Sequence, residues 1–207
     1  SFGDLASHIC DSDIGSLSGV LLDLGVSSPQ LENAERGFSF RLDGPLDMRM
    51  NNLSGVNAAS WLSNAEESEI SRVLRVYGEE RFSRRIAKNI VMSRQIKPIE
   101  TTLDLVRIIE TTLPFREKHK HPATRTFQAI RIFINSELDD LKACLHDSLD
   151  LLADRGRLVV ISFHSLEDRL VKRFFRDEER GGLLPRKIPI PDCQIVKRLK
   201  SVGRITR

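Results

Sequence analysis

The chain has 207 residues, 40% apolar and 29% charged, a balance that fits a folded domain and not a disordered one. Its net charge of +3 permits a nucleic-acid partner without demanding one. Cys10, Cys144 and Cys193 lie far apart with no C-x-x-C spacing, so neither a zinc site nor a disulfide framework is suggested. No run of about eighteen apolar residues offers a membrane span, and nothing at the start reads as a signal or transit peptide.

The opening residues, Ser1 to Ser18, are polar, with Phe2, Leu5 and Ile9 at roughly helical spacing. They read as a loop with one or two helical turns covering a sheet, with Phe2 as a core anchor. Gly19 to Leu24 is a short run of Val, Leu and Asp that reads as a buried strand. Gly25-Val26-Ser27-Ser28-Pro29-Gln30 follows as a loop. Ligands of open α/β sheets bind just beyond the carboxyl ends of the strands, so chemistry is expected between Asp23 and Gln30.

From Leu31 the chain becomes turn-rich, with Asp43-Gly44-Pro45 as the strongest turn signal. Phe38, Phe40, Leu46, Met48 and Met50 should pin an ordered loop. Its arginine and aspartates either hold a nucleotide or pair with one another. Asn57 to about Arg116 is helical and charged. Ser63-x-x-Glu66 has the form of a capping box ahead of Ile70, Val73, Leu74 and Tyr77. A second helix turns Phe82, Ile86 and Ile90 inward and carries Arg81, Arg84, Arg85, Lys88 and Arg94 elsewhere. A third runs from Thr102 to a stop at Pro114. Three amphipathic helices without a strand between them read as a lobe inserted in an α/β domain. The arginine-rich helix is a natural surface for RNA phosphates, or a merely solvated face.

Arg116 to Pro122 is a basic linker. His119 and His121 lack the cysteine or carboxylate company that a metal site needs, so a solvated or phosphate-facing loop is expected. Pro122 opens a helix whose stripe, Phe127, Ile130, Ile134, Leu138, Leu141, Leu145, Leu149 and Leu152, predicts one long core helix, with a bend allowed. Gly156 should end it, and Arg157 to Phe163 is the second strand. Ser165-x-x-Asp168 is expected to cap the next helix, with Arg169, Lys172, Arg173 and Arg176 outward. Both strands then bring polar loops to one edge of a parallel sheet. The basic end, with Arg186, Lys187, Lys197, Arg198, Lys200, Arg204 and Arg207, either tracks an RNA backbone or is disordered.

Four motifs carry a resemblance: Asp23-Leu24-Gly25-Val26-Ser27-Ser28-Pro29-Gln30; Arg36-Gly37-Phe38-Ser39-Phe40 with Asp43 to Met50; His121 to Ala129; and Ser162 to Arg169. Occurring in this order, they resemble the MraW/RsmH family. The resemblance implies methyl transfer from S-adenosylmethionine to the exocyclic N4 of a cytidine in small-subunit ribosomal RNA. The implied fold class is α/β: an incomplete Rossmann-like class I methyltransferase sheet with an inserted helical lobe. Residues 1–56 and 117–207 would form the methyltransferase core and 57–116 the RNA-recognition lobe.

The resemblance further implies cofactor contacts at Phe2, Asp23 and Gln30, with the Phe2 ring against the adenine. It does not fix the acceptor that draws a hydrogen bond from the cytosine amine and so localises its lone pair. Ser27, Ser28 and His164 are the candidates, each near a strand's carboxyl end. RNA contacts are expected at Arg81, Arg84, Arg85 and Lys88, and the partner is small-subunit ribosomal RNA or an assembling small subunit.

Neither the family's upstream Gly-Gly-His cofactor loop nor its Asn-Pro-Arg-x-Arg-Ser stretch occurs here, so the chain reads as truncated, and residues 1–207 alone are expected to bind S-adenosylmethionine weakly or not at all and to be inactive without that loop. Phe133 and Asn51-Asn52, where bacterial members usually carry Trp and Asp-Pro, suggest a divergent member. The mitochondrial matrix is therefore the expected compartment, and the bacterial cytoplasm the next. Two other functions remain open. One is a non-catalytic RNA-binding or assembly module; the other, disfavoured by the lack of a dinucleotide fingerprint, is a different nucleotide-binding α/β enzyme.

Overall fold

The computed structural model describes residues 2–12, 14–113, 120–182 and 196–202. In chain order these form a 3-10 turn Phe2–Asp4, α1 Leu5–Cys10, β1 Leu17–Asp23, α2 Ser28–Glu32 and a second 3-10 turn Ala34–Arg36. There follow α3 Ala58–Asn64, α4 Glu67–Gly78, α5 Ser83–Ile96, α6 Thr102–Thr112, α7 Thr124–Ile134, α8 Glu137–Leu151, β2 Leu152–Ile161 and α9 Ser165–Glu179. The chain divides into two compact units, Ser1–Gly25 with Leu138–Arg207, and Val26–Glu137.

The first unit is built on the expected parallel pair: β1 and β2 run alongside with Leu21 opposite Val159, Leu22 opposite Val160 and Asp23 opposite Ile161. Val20, Leu22, Leu24, Leu158 and Val160 pack against Leu141 and Leu145 of α8 and Val171 and Phe174 of α9. Because strand side chains alternate between faces, Leu21, Val159 and Ile161 fall on the other face, where all three are exposed. The opening turn leans on α8: a Cβ at Gly3 would stand 2.9 Å from the Asp140 carboxyl, and Ala6 N donates to Asp147 Oδ2 at 3.4 Å.

The second unit, Val26–Glu137, is largely helical and contains α3 to α6. Ile70, Val73, Leu74, Ile86, Ile90, Leu105 and Ile109 share one core with Trp61, Leu62, Phe127 and Ile130. Residues 37–56, after α2 and the second 3-10 turn, form the expected pinned loop, with Leu46 and Met48 almost wholly buried. Arg36 Nη2 donates to the carbonyls of Arg49 and Met50 at 2.9 Å each. Gly37, at φ 70°, has no room for a side chain: a Cβ would meet Pro45 O at 2.3 Å. Asp47 and Arg49 pair through two 2.8 Å hydrogen bonds, which hold the Asp47 carboxyl below its usual range. Of the two alternatives for these charges, the structure shows the ion pair.

Four local expectations need correction. The long helix is two, α7 and α8, because Ser136 adopts a left-handed φ of 51°. The bidentate pair of Arg131 with Glu137, at 2.8 and 2.9 Å, spans the break. The second strand begins at Leu152, five residues early, with an irregular register between Leu17–Leu152 and Gly19–Arg157 and Arg155 at φ 62°. Ser63 is no cap: it sits inside α3, whose start is capped by Asn57 Oδ1 accepting from Ser60 N at 2.8 Å. The cap of α9 is His164, one residue ahead of Ser165.

The described part of the basic end is attached to the first unit. Leu199 packs on its core, Arg198 pairs with Asp150, and Ser201 N donates to Glu179 Oε1 at 3.1 Å. Arg186, Lys187, Arg204 and Arg207 lie outside the described residues, as do Pro114, Arg116 and His119.

Candidate functional site

In the first unit the carboxyl ends of both strands come together, and with them Asp23 and the segment leading to His164. Leu24 N donates to Ile161 O at 3.0 Å, carrying the pairing past the last strand residue. Gly25 turns away at φ 93°, and a Cβ there would touch the Phe163 ring at 3.3 Å. The chain can leave β1 this close to an aromatic ring because the position is glycine. Asp23 is exposed at this edge, where its carboxylate can accept hydrogen bonds from a ligand's hydroxyl or amine groups. Phe2 stands in the opening 3-10 turn, 37% exposed.

His164 is engaged structurally. Its Nδ1 accepts from Glu167 N at 3.4 Å, and its Nε2 lies 3.2 Å from Glu167 Oε1. Glu167 Oε2 in turn accepts from Phe163 N at 3.0 Å and His164 N at 3.4 Å. Burial pushes the Glu167 carboxyl up, but the hydrogen bonds from His164 and from these backbone amides prevail and hold it below the usual range. This acid, 3% exposed, fixes the loop between β2 and α9, and the sequence reading passed over it. An acid three residues after a strand-end histidine, at the capping-box spacing, was the available signal.

In the second unit, Ser27 and Ser28 open α2. Gln30 folds back on that start, its Oε1 accepting from Ser27 N at 2.9 Å. Both serines are exposed and Gln30 is half-buried. Arg81 lies in the turn before α5, not on the helix as expected, while Arg84, Arg85 and Lys88 are on it; all four are exposed, and the core residues Ile86, Ala87 and Ile90 occupy the opposite face of α5. Arg85 lies over the Phe82 ring, its guanidinium carbon 5.9 Å from the centroid. Arg94 has a different job from these four: it donates to the carbonyls of Leu62 and Ala65 at 2.5 and 2.7 Å, closing the end of α3. His121 stacks on Phe40, centroids 4.6 Å apart, which the sequence reading also missed. No helix among the described residues is long and apolar enough to cross a membrane.

A family model described as the MraW methylase family matches residues 1–206. The chain is 57% identical over 194 residues to a ribosomal RNA small subunit methyltransferase H of Legionella pneumophila (strain Corby), covering 94% of this chain and 63% of the relative. It is 59% identical over 194 residues to the protein of that name from Thioalkalivibrio sulfidiphilus, covering 93% and 62%. With that from Nitrosococcus oceani it shares 57% over 191 residues, covering 92% and 61%. The chain thus spans about three fifths of the length of these relatives. The match across residues 1–206, on a parallel strand pair with polar loops at one edge, shows that the chain belongs to the MraW methylase family.

Proposed function

We propose that this chain serves S-adenosylmethionine-dependent methyl transfer to the exocyclic N4 of a cytidine in small-subunit ribosomal RNA. The observation that carries the reading is the exposed Asp23 carboxylate at the carboxyl edge of a parallel strand pair, in a chain of this family. That edge is where α/β folds hold ligands, and the donor set fits the cofactor: a carboxylate for its polar groups and an apolar Phe2 ring for its adenine. When bound, S-adenosylmethionine supplies an electrophilic methyl group. The protein's part is placement. Asp23 orients by accepting hydrogen bonds, Gln30 offers its amide from the start of α2, and Phe2 covers an apolar face.

Ser27 and Ser28 each bring a hydroxyl, and His164 an imidazole, as candidates to accept a hydrogen bond from the cytosine amine. The capping role of His164 leaves the serines the better placed, since their hydroxyls are exposed. The turn before α5 and α5 itself present Arg81, Arg84, Arg85 and Lys88 to the RNA backbone, with the target base drawn from its stack. The reported relatives are bacterial and lend the mitochondrial counterpart no specific support. The bacterial cytoplasm is the compartment we assign.

The test is incubation with radiolabelled S-adenosylmethionine and unmethylated small-subunit ribosomal RNA, then digestion to nucleosides and mass spectrometry. Label in N4-methylcytidine is expected when the protein carries the family's upstream cofactor loop. Binding of RNA without methyl incorporation by the protein would instead establish the non-catalytic RNA-binding module.

A further inference from the structure

We propose that Leu53 is an apolar wedge that enters the space left when the target cytidine is drawn from its stack in the RNA. The proposal rests on the RNA methylation reading above and adds to it the side chain that holds the base out.

Leu53 is 95% exposed, and Val56, three residues on, is 60% exposed. Both stand on the tip formed by residues 51–56, and that tip is firmly built. Arg49 Nη1 donates to the carbonyls of Ser54 and Gly55 at 3.4 and 3.3 Å. Asn51 Oδ1 accepts from Leu53 N at 3.0 Å, and Asn51 Nδ2 donates to Ser54 Oγ at 3.2 Å. Arg49 is in turn held by the Asp47 carboxylate, and Ala58 N, where α3 begins, donates to Asp47 O at 2.8 Å. The backbone on both sides of Leu53 is therefore fixed while its side chain stays in water. Ordering such a segment costs conformational entropy, and no burial of Leu53 within the chain offsets it. A rigid, exposed apolar knob is the form that a preorganised contact takes.

The chemistry of the tip suits a base stack. Asn51 to Val56 carry no charge, so the tip brings no ion to be stripped of water between bases and nothing that repels phosphates. Apolar side chains of this size open stacked steps in nucleic acids by filling the gap. An enzyme that modifies a base must take that base from its stack. Two apolar residues are too few for a protein interface, which buries roughly 800 Å² on each partner. A Cβ at Gly55 would meet no atom of the described residues within 4 Å, so a partner has room to close over the tip.

The tip is also joined to the candidate acceptors. Arg36, whose Nη2 donates to the carbonyls of Arg49 and Met50, lies in the 3-10 turn that follows α2. Ser27 and Ser28 stand at the start of α2. One guanidinium thus ties the loop bearing Leu53 to the segment bearing the hydroxyls proposed to meet the cytosine amine.

The experiment uses the small-subunit ribosomal RNA fragment that the protein, carrying the family's upstream cofactor loop, methylates. 2-Aminopurine replaces the base on the 3′ side of the acceptor cytidine, where its fluorescence rises when it loses a stacking neighbour. Wild type should raise that fluorescence at saturation, and L53A should raise it far less. L53A should also bind about tenfold more weakly, the loss that follows from one leucine left uncovered. The salt slope of affinity should be unchanged, because leucine contacts no phosphate. L53M, which again fills the gap, should restore the fluorescence. Urea midpoints of all three should agree, since the side chain is exposed.

Equal fluorescence and affinity in wild type and L53A would overturn the wedge and leave the RNA reading intact. A weaker L53A with a lowered urea midpoint would make Leu53 structural and likewise overturn the wedge. RNA bound by wild type without methylation would overturn the methyl-transfer reading, and the wedge with it.

Discussion

Asn135 is bound to the loop of residues 48–50 by both ends of its amide: Oδ1 accepts from Met50 N at 2.6 Å, and Nδ2 donates to Met48 O at 2.7 Å. The same Nδ2 lies 2.9 Å from Arg131 O, in the last turn of α7. One side chain therefore ends a helix and anchors the loop, and that loop holds Met48 fully buried at a left-handed φ of 61°. Asn135→Leu should strand a backbone N–H and a carbonyl in a half-buried setting. A loss of about 1–3 kcal/mol is expected, read as a lower urea midpoint with an unchanged m-value. A midpoint equal to wild type would show that water replaces the amide at no cost.

Glu167 gives the first unit an acid-sensitive element. Its folded pKa is held below its unfolded value. The stability it contributes is therefore complete above the ordinary glutamate range near 4.3 and is lost as pH falls through the folded value. Glu167→Gln should be less stable at neutral pH and should flatten the acid limb of stability against pH. Urea unfolding between about pH 2.5 and 7 checks both. Parallel acid limbs for wild type and variant would assign the acid sensitivity to other carboxylates.

The strands and helices were legible because local pattern and tertiary role agree in them. Gly19 to Leu24 is a compact apolar run broken only by Asp23, and it pairs with the apolar run that begins at Arg157. The stripes through Ile70, Val73, Leu74 and Ile86, Ile90 are the core faces that their spacing implies. What failed depends on contacts distant in sequence. The leucine stripe continues in phase across Ser136, so nothing local marks the break; the Asn135 amide, drawn to Met48 and Met50, does. Likewise Ser165 is the usual cap residue, yet His164 takes the cap because Glu167 can reach back to its backbone. At the candidate site, the strand-end rule pointed to Asp23 from sequence alone.

The exposed row on α5 should set RNA affinity through charge. Reversing Arg84, Arg85 and Lys88 to glutamate would remove the three proposed phosphate contacts and add three repulsive charges. Affinity should fall for every RNA sequence tested, with a shallower salt slope, because phosphate contacts carry no sequence information. Stability should change little, since the three side chains are exposed and the helix core is untouched. Filter binding at several salt concentrations is the measurement. Unchanged affinity would leave α5 with a solvated face and move the RNA surface elsewhere.

Asp23 separates a cofactor role from a structural one. The residue is exposed, while its neighbours in the strand, Leu22 and Leu24, are buried in the first unit's core. Truncating it removes a hydrogen-bond acceptor from the sheet edge without opening a cavity, so Asp23→Ala should leave the urea midpoint within about 0.5 kcal/mol of wild type. In protein extended upstream to include the cofactor loop, affinity for S-adenosylmethionine should instead fall about tenfold to a hundredfold, because the cofactor's donor would lose a charged partner worth roughly 1–3 kcal/mol. Asp23→Asn keeps the shape and one carbonyl acceptor while losing the charge, and should fall between the two. Calorimetric titration of the three proteins gives the ordering directly. Equal cofactor affinity in wild type and Asp23→Ala would remove Asp23 from the site, and loss of affinity together with loss of stability would make its role structural.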